Sequence, residues 1–304
     1  MNQYKGRLYL IGAFALAGTS VISARFVTDV LGVFTITAVS LFFAIIFLSL
    51  LVRKQLIRYW KQMSYKRFLF LTLQAICGIF LFRFLLITGL NFTSAGEAGI
   101  LTGATPAITA LLAVAVLKEK ANNRKLGGIL CTMVGILIMQ GFFTLGNGLS
   151  LKHIGGNILV LCAAASESSF NILSRAFVVK DREEEISPIT QTIMVSLIAF
   201  ILCLIPALLE HPIDRLSHIN LTQWVALLWY GIFVTGMAFI CWYYGIMKSG
   251  AFTAAAFSGI MPLTSLLLSV FVLGEHIDYK QWMGGLFVIS GMIFIGTEKS
   301  LNNS

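Results

Sequence analysis

The chain has 304 residues, of which 58% are hydrophobic and only 12% are charged, and its mean hydropathy is +0.87. This composition excludes an ordinary water-soluble domain and is typical of a protein embedded in a lipid bilayer. The formal net charge of +9 would suit a nucleic-acid-binding protein, but the placement of the basic residues argues against a nucleic-acid partner.

Apolar runs of about 20 residues, the length that an α-helix needs to cross a bilayer, follow one another along the chain. Strands of a membrane barrel would be about 10 residues long with alternating polarity, a pattern that these runs lack. The sequence therefore predicts an all-α polytopic membrane protein with ten transmembrane helices. The predicted spans cover residues 8–28, 32–52, 68–90, 94–117, 125–143, 155–177, 188–209, 222–246, 251–273 and 281–297.

The chain begins like a signal peptide, with Lys5 and Arg7 before an apolar stretch that ends in small residues. The nine further spans favour a retained first helix instead. All five cysteines fall inside predicted spans and share no spacing, so we expect no disulfide, no metal site and no cofactor.

Lys and Arg residues concentrate on one side of the predicted membrane. With the N-terminus in the cytoplasm, seventeen of the 22 fall in inner segments, and only Lys152, Arg215 and Lys280 fall in outer loops. This bias is the positive-inside pattern of membrane proteins. Both termini are therefore predicted to be cytoplasmic.

Residues 89–119 and 245–275 are two copies of one segment, related by a shift of 156 positions without a gap. A repeat of this length in so apolar a chain predicts a transporter built from two structural halves. The identical positions are Gly89/Gly245, Ala95/Ala251, Ala98/Ala254, Gly103/Gly259, Pro106/Pro262, Leu111/Leu267, Leu112/Leu268, Val114/Val270, Val116/Val272, Leu117/Leu273 and Glu119/Glu275.

The repeat divides the chain into a first half over residues 1–143, a linker over 144–154 and a second half over 155–304. Each half holds five spans, and because five is odd the second half enters the membrane inverted. The loop after the first copy is basic, whereas the loop after the second is slightly acidic. This difference is what an inverted repeat requires.

Each copy carries small residues at every fourth position and one proline. The small residues are Ala95, Gly99 and Gly103 in the fourth span and Ala251, Ala255 and Gly259 in the ninth. Such a stripe favours close helix packing, and a substrate approaching the bare backbone is the alternative. The prolines Pro106 and Pro262 are predicted to kink their helices and are candidate gating hinges; the alternative is that such prolines are simply common in membrane helices.

Further motif residues recur in both halves. In the first half they are Gly89-Leu-Asn-Phe-Thr-Ser-Ala-Gly-Glu-Ala, Pro106, Leu117-Lys-Glu119, Gly127-Gly128 and Gly135, and in the second they are Gly245, Ala251, Ala254, Pro262, Leu273-Gly-Glu275, Gly284-Gly285 and Gly291. Together these motifs resemble the EamA domain of the drug/metabolite transporter superfamily. The resemblance covers essentially the whole chain.

The resemblance implies a carrier of ten helices in two repeats, usually in the bacterial inner membrane. Members typically export amino acids, other metabolites or toxic compounds, through a cavity between the halves. Two positions depart from the pattern, because many members carry an aromatic residue near Glu167 and a basic residue near Ser40. Because of these departures, the substrates of better-known members are not carried over to this chain.

Glu167 lies near the middle of the sixth span, where an ionisable side chain costs about 2.5–3.5 kcal/mol of insertion free energy. Asn171 and Ser174 share its helical face, so this polar stripe should face protein or water rather than lipid. Glu167 is therefore a candidate for substrate binding or proton coupling. A buried carboxyl that only helps the bundle to pack is the alternative.

Arg83 and Glu97 are predicted to lie at similar depth in the third and fourth spans, and a structural ion pair is one interpretation. The other is that Arg83 binds a substrate carboxylate or phosphate while Glu97 responds to protonation. In the second half the matching positions are Phe239 and Thr253. The charges thus break the symmetry of the repeat, as a substrate site would.

Other polar positions receive weaker assignments. Trp229 and Tyr230 could line the cavity or pack in the bundle. Glu119 and Glu275 are expected to satisfy amide groups at the start of the helix that follows each of them. The four histidines fall in predicted outer loops and are expected to be solvated.

The chain has no phosphate-binding loop of the G-x-x-x-x-G-K-[ST] type and no cluster typical of an intramembrane enzyme, so we expect no enzymatic activity. The leading hypothesis is a secondary transporter that exports a small organic metabolite or drug, with proton coupling suggested by the carboxyls. Its partners would be a small-molecule substrate and the lipid bilayer, and a homodimer is compatible with the sequence. The alternative is a membrane sensor or scaffold that transports nothing.

Overall fold

The structure, a computed structural model, describes residues 2–118, 123–139, 151–180, 188–249 and 257–296. Within these ranges every regular element is helical and no strand occurs, so the all-α prediction is confirmed for them. Several positions singled out in the sequence lie outside the described residues. They are Glu119, linker residues 144–150, Ala251, Thr253, Ala254 and Ala255; the side chain of Ser174 is also outside the description.

Eight α-helices precede the linker in the described ranges. They are α1 (Asn2–Gly18), α2 (Ser20–Thr28), α3 (Val33–Gln62), α4 (Tyr65–Ala75), α5 (Phe82–Leu90), α6 (Ala95–Thr102), α7 (Thr105–Leu117) and α8 (Asn123–Met139). A π-helical segment, Ile76–Leu81, joins α4 to α5.

Seven α-helices follow the linker among the described residues. They are α9 (Leu151–Lys180), α10 (Pro188–Leu209), α11 (Pro212–Ser217), α12 (Leu221–Trp229), α13 (Ala238–Ser249), α14 (Ile260–Leu273) and α15 (Tyr279–Gly296). A second π-helical segment, Tyr230–Met237, joins α12 to α13. Because α9 begins at Leu151, the last residues of the predicted linker are helical.

Among the described residues, seven helical stretches are long and apolar enough to cross a membrane, so the chain is a multi-pass membrane protein. They are Tyr4–Thr28, Val33–Val52, Tyr65–Leu90, Ala95–Val116, Leu151–Leu173, Ile189–Leu209 and Leu221–Trp242. The other three predicted spans correspond to α8, α14 and α15. Two of these contain shorter apolar helices, Leu126–Ile138 and Ile260–Leu273.

The two prolines lie in the first turn of a helix that follows a break, rather than in the interior of a continuous helix, and their role as gating hinges stays a prediction. The fourth span is broken at Gly103 and Ala104, and Pro106 lies in the first turn of α7. Pro262 likewise lies in the first turn of α14, directly after a turn at Ser258 and Gly259. Proline fits there because the first-turn amides of a helix have no partner within the helix.

The π-helical segments also occupy corresponding places in the two halves. A shift of 156 positions carries the first segment onto residues 232–237, which lie within the second. A π-helical segment contains an extra residue in the turn and shifts the side chains that follow it, and such segments are frequent at functional sites. The broken helices and the π segments therefore mark where the bundle departs from regular helices.

The most extensive helix contacts join the part of the chain before the linker to the part after it. In each case one helix precedes residue 140 and its partner follows residue 150. The pairs are α8 with α15, α1 with α13, α3 with α10, α5 with α9 and α6 with α14. The main apolar core lies between these pairs and includes Leu86, Ile100, Val160, Leu227 and Leu266.

Glycines allow α8 and α15 to meet backbone to backbone. A Cβ atom on Gly128 would lie 2.7 Å from the carbonyl oxygen of Gly291, and one on Gly291 would lie 2.6 Å from that of Gly128. A Cβ atom on Gly135 would lie 2.6 Å from the carbonyl oxygen of Gly284. Real Cβ atoms cannot come so close, so this contact requires glycine.

The small residues of the fourth span allow close helix packing, which is the interpretation that the sequence favoured. A Cβ atom on Gly99 would overlap the side chain of Ser265 on α14, and one on Gly103 would lie 2.9 Å from a methyl group of Val288. Ala95 is fully buried. These positions are filled by neighbouring helices rather than open to a substrate.

We predict that Gly128→Ala lowers the free energy of unfolding by about 1–3 kcal/mol, the usual cost of an overpacked contact. Gly127→Ala is the matched control, because a Cβ atom there meets nothing within 4 Å. Its stability should stay the same or rise by up to about 1 kcal/mol, since alanine favours a helix more than glycine does. Thermal unfolding of the detergent-solubilised protein measures both, and equal midpoints would contradict the close contact of α8 with α15.

Candidate functional site

A cavity lies between α4, α9, α10, the two π segments and α13. Its wall combines one carboxyl group with amide, hydroxyl and aromatic side chains. The lining residues are Gln74, Gly78, Ile79, Glu167, Phe170, Gln191, Thr192, Val195, Ser196, Thr235 and Phe239. Gln191 lies one turn from the start of α10, so the cavity lies nearer the end of the bundle where α10 begins than the end where α9 begins.

We call these two ends the Lys118 end and the His153 end. The Lys118 end is where α7 ends at Leu117 and α10 begins at Pro188. The His153 end is where α6, α9 and α15 begin.

Glu167 projects from α9 and forms part of the cavity wall. Its Oε2 accepts a hydrogen bond of 2.9 Å from the hydroxyl of Thr105, at the start of α7. Taken as a whole the residue is partly buried, and it is one of the residues that line the cavity. The side chain can therefore meet a solute that enters the cavity.

The polar stripe of α9 faces α7, in agreement with the expectation that it would avoid lipid. The hydroxyl of Ser168 donates to the backbone carbonyl of Thr105 at 3.0 Å. One turn further, Nδ2 of Asn171 lies 3.5 Å from the hydroxyl of Thr109. Asn171 thus helps to hold α9 against α7, and it does not line the cavity.

Two lining side chains present polar atoms that lack a hydrogen-bond partner. Nε2 of Gln191 donates to Oε1 of Gln74 at 2.9 Å, which leaves Nε2 of Gln74 unpaired. The hydroxyl of Ser196 is also unpaired, and both residues are fully buried. An unpaired buried polar group costs about 1–3 kcal/mol, so these two atoms lack the partner that a buried polar group normally has.

Arg83 lies directly behind the cavity wall. It is 5% exposed, and its two terminal nitrogens donate to the hydroxyls of Ser40 at 2.7 Å and Thr235 at 2.6 Å. Its guanidinium carbon also lies 4.4 Å from the ring centroid of Tyr230. Because Thr235 lines the cavity, the hydroxyl of Thr235 joins the positive charge to the cavity wall.

The ion pair considered between Arg83 and Glu97 is not formed. Glu97 lies at the His153 end, 5% exposed, where its Oε2 is 2.7 Å from Nε2 of His153. Its Oε2 also accepts from Thr93 at 2.8 Å, and its Oε1 accepts from Gln281. Arg83 lies seven residues before the end of the third span at Leu90 and faces the second π segment, so the two charges occupy different environments.

Glu275 satisfies helix-start amides as expected, but at a different helix from the one predicted. Its Oε1 accepts from the amide of Ala95 at 2.9 Å and its Oε2 from that of Gly96 at 3.0 Å, so it caps α6 rather than α15. The chain reaches α6 because Gly274, with φ of 67°, ends α14 in the left-handed region.

Glu210 performs the same task for α3, and the sequence analysis did not identify it. Its Oε2 accepts from the amide of Thr35 at 2.8 Å and its Oε1 from that of Phe34 at 3.1 Å. In both cases a carboxylate in the second half of the chain lies at the positively polarised start of a helix in the first half.

Tyr230 is buried in the bundle, whereas Trp229 is 36% exposed. Tyr230 is 2% exposed and lies against Arg83. The indole nitrogen of Trp229 donates to the hydroxyl of Thr19 at 2.8 Å, at the break between α1 and α2, and its ring stacks on Phe233. Neither residue contributes to the described cavity wall.

The structure thus brings Glu167 and Thr235, with Arg83 behind it, to one cavity and places Glu97 at another site. Gln74, Gln191 and Ser196 were not predicted as site residues, although each is a polar residue inside an apolar span. His153 was expected in a solvated outer loop; it lies on α9 instead, where its side chain is 42% exposed and contacts Glu97. Within the described ranges, no group of three His, Cys, Asp or Glu side chains is arranged to hold a metal ion.

Comparison with known proteins gives consistent matches over nearly the whole chain. The sequence model of the EamA-like transporter family matches twice, over residues 4–140 and 154–297. The uncharacterized transporter YetK of Bacillus subtilis (strain 168) is 28% identical over 284 residues, 93% of this chain and 84% of YetK.

A second relative carries a functional name. A probable amino-acid metabolite efflux pump of Salmonella typhimurium is 23% identical over 202 residues, 65% of this chain and 66% of the pump. A solved crystal structure, 18% identical, superposes with a TM-score of 0.61 over 96% of both chains, which indicates a shared fold.

We predict that Glu275→Ala lowers the free energy of unfolding by about 1–2 kcal/mol, because two amides at the positive start of α6 lose their charged acceptor. Asp29→Ala is the control, since Asp29 is exposed at the end of α2 and caps no helix start. Thermal unfolding in detergent measures both variants. A Glu275→Ala protein as stable as the control would contradict the capping role.

Proposed function

Because the chain belongs to the EamA-like transporter family, we propose that it is a secondary transporter that exports a small organic metabolite by alternating access. The observation that carries the proposal is the cavity at Glu167, which lies inside the bundle, nearer the Lys118 end than the His153 end. Residues from both halves of the chain line it, and the interface between the halves is where an alternating-access carrier binds its substrate.

The pattern of helix pairs supports two inverted five-helix repeats, with domains at 1–143 and 155–304. The first helix of the first half (α1) packs on the end of the third span of the second half (α13). The third span of the first half (α5) packs on the first helix of the second half (α9). A two-fold axis in the membrane plane produces this exchange of partners, and the reciprocal contact of Gly128 with Gly291 follows the same rule.

The basic residues support an orientation with the Lys118 end in the cytoplasm of a bacterial cell and both termini there. Lys66, Arg67, Lys118 and Arg124 all lie at helix boundaries of that end. In this orientation the cavity lies in the cytoplasmic half of the membrane, which favours an inward-facing assignment of this conformation.

The cavity wall offers complementary groups for a substrate. Glu167 can bind a cationic group or a proton, and Nε2 of Gln74 with the hydroxyl of Ser196 can donate to an acceptor group. Phe170 and Phe239 provide apolar contact. This set of groups suits a small molecule that carries both polar and apolar parts. We also propose that Glu167 couples transport to protons.

Glu167→Gln should weaken substrate binding about 10- to 100-fold, because a hydrogen bond to a charged group contributes about 1.5–3 kcal/mol. Glutamine can still accept from Thr105, so the fold should be preserved. The first step is a resistance screen of an overexpressing strain against amino acids, their analogues and drugs. Flux of each hit into proteoliposomes, at several pH values, then gives the affinity and the pH dependence.

Cys162→Ser is the matched control, because Cys162 lies on the same helix but is exposed away from the cavity. Unchanged flux and pH dependence in Glu167→Gln would contradict the role of Glu167. Absence of saturable flux across the whole panel for the unmodified protein would contradict transport itself and favour a sensor or scaffold.

Ser196→Ala should reduce the apparent affinity about tenfold while thermal stability stays the same or rises. The hydroxyl has no partner in this conformation, so its removal breaks no internal hydrogen bond. Ser169→Ala, which removes only a bond to the backbone of α9, is the control and should bind normally. A loss of stability in Ser196→Ala without loss of affinity would mean that the hydroxyl serves packing.

A further inference from the structure

The wall of the Glu167 cavity has a counterpart in the repeat. The shift of 156 positions also holds before residue 89, since residues 39–41 and 195–197 both read Val-Ser-Leu and the shifted first π segment falls within the second. At least one member of each matched pair lines the cavity, and in one pair both members do. The pairs are Ser40/Ser196, Gln74/Tyr230, Ile79/Thr235 and Arg83/Phe239.

The three counterparts that do not line the cavity form a cluster of their own. Arg83 donates to the hydroxyl of Ser40 at 2.7 Å, and its guanidinium carbon lies 4.4 Å from the ring centroid of Tyr230. We call Ser40, Arg83 and Tyr230 the Arg83 cluster. Arg83 also donates at 2.6 Å to Thr235, which lines the cavity. The cluster is therefore the repeat-related equivalent of the cavity wall, and the two meet at Thr235.

The two equivalent serines have different environments in this conformation. Ser196 lines the cavity and its hydroxyl has no hydrogen-bond partner. The hydroxyl of Ser40 accepts from Arg83, and Tyr230 beside it is 2% exposed. Helix α3 lies directly on the second π segment, because a Cβ atom on Gly231 would overlap the backbone carbonyl of Ser40. The Arg83 cluster is thus closed, whereas its equivalent borders a cavity.

The two serines also lie at matching depths from opposite ends of the bundle. Ser40 follows the start of α3 by seven residues, and Ser196 follows the start of α10 by eight. Helix α3 begins at the His153 end and α10 at the Lys118 end. In a carrier with inverted repeats, the two halves exchange their arrangements between the two states, so one site opens when the other closes. An opened Arg83 cluster would therefore face the His153 end.

Arg83 gives the cluster a charge that the equivalent position in the cavity wall lacks. Phe239 occupies that position in the wall, whereas the guanidinium of Arg83 is buried. Its acceptors are two neutral hydroxyls, and within the described ranges no carboxylate forms an ion pair with it. A buried charge is costly without an opposite charge, and the planar guanidinium matches the two oxygens of a carboxylate. The cluster is therefore suited to an anionic group.

We infer that the Arg83 cluster is a second half of the substrate site, which opens toward the His153 end and binds an anionic group such as a carboxylate. The inference rests on the proposed function, because it requires the two halves to alternate. When α3 separates from the second π segment, Arg83 loses the hydroxyl of Ser40, and an oxygen of the anionic group takes its place. Glu167 and Arg83 then suit a molecule that carries charges of both signs.

The test determines from which side of the membrane a cysteine can be reached, and it needs no substrate. Ser40→Cys and Ser196→Cys are made separately in a variant whose five native cysteines are replaced by alanine. Each is treated with membrane-impermeant methanethiosulfonates in vesicles of either orientation. Cysteines introduced at the exposed positions Asp29 and Lys118 identify the His153 side and the Lys118 side. We expect Ser196→Cys to react from the Lys118 side and Ser40→Cys from the His153 side.

The charge of the reagent reports the chemistry of each site. At Ser40→Cys, a sulfonate reagent should react about tenfold faster than a quaternary ammonium reagent of similar size, because the guanidinium attracts anions. Each rate is first divided by the rate of the same reagent with free cysteine. Arg83→Gln in the same background should abolish this preference, whereas Arg83→Lys should keep it. At Ser196→Cys the preference should be reversed, because Glu167 attracts cations.

Thr132→Cys is the control, because Thr132 is 1% exposed in the contact of α8 with α15 and belongs to neither site. It should stay unreactive from both sides. Thr235→Cys is a second variant, which decides the same question if Ser40→Cys does not fold. Because Thr235 lines the cavity and also contacts Arg83, it should react from both sides.

A folded Ser40→Cys protein that does not react from the His153 side would overturn the inference, and so would reaction of Thr235→Cys from the Lys118 side alone. Equal rates with the two reagents, or a sulfonate preference that survives Arg83→Gln, would overturn the assignment to an anionic group. Flux in proteoliposomes decides the proposed function separately. Flux with an unreactive Ser40→Cys contradicts the second half of the site alone, whereas reaction of each serine from its own side without flux contradicts transport alone.

Discussion

The carboxylate of Glu275 on the first amides of α6 is the contact on which much of the architecture depends. A helix that begins inside a membrane protein exposes amide groups that lipid cannot satisfy, so a protein acceptor must reach them. Glu275 supplies it from the other half of the chain, and Glu210 does the same for α3. The start of each of these helices is thus tied to a residue far away in sequence, which fixes how the two halves meet at the His153 end.

Once these helix starts are satisfied, the chain can interrupt its spans where a cavity is needed. The fourth span breaks at Gly103, and Thr105, the first residue after the break, donates to Glu167. The π segments place Gly78 and Thr235 at the cavity wall, and Thr235 holds Arg83 behind it. The break before Thr105 and the second π segment therefore direct polar groups toward the same space. The regular contacts, above all the glycine contact between α8 and α15, lie elsewhere and stabilise the frame.

The sequence predicted those features that depend on the internal repeat or on the composition of the spans. The helical class, the close packing of Gly99, the capping role of Glu275 and the cavity position of Glu167 follow from apolar length, small-residue spacing and the cost of a charge in lipid. The partners of the polar residues could not be predicted, because they lie on other helices. Glu275 reaches α6 and Glu97 pairs with His153 only because the two halves face each other, and no local pattern encodes that pairing. Pro106 was expected inside a continuous helix but lies in the first turn after a break. A proline is compatible with both positions, so the sequence alone does not distinguish them.

The two polar sites are connected by one element. His153 and Glu167 lie on α9, a continuous helix of 30 residues, whereas the corresponding span of the first half is interrupted at Thr19 between α1 and α2. A continuous helix keeps the spacing and orientation of its side chains when it tilts, because its backbone hydrogen bonds stay intact. A tilt of α9 that breaks the contact of His153 with Glu97 would therefore also move Glu167 relative to Thr105 and the cavity wall. The repeat supplies two similar halves, but only the second half has an unbroken first helix, which joins a contact between the halves at its start to a cavity carboxyl near its middle.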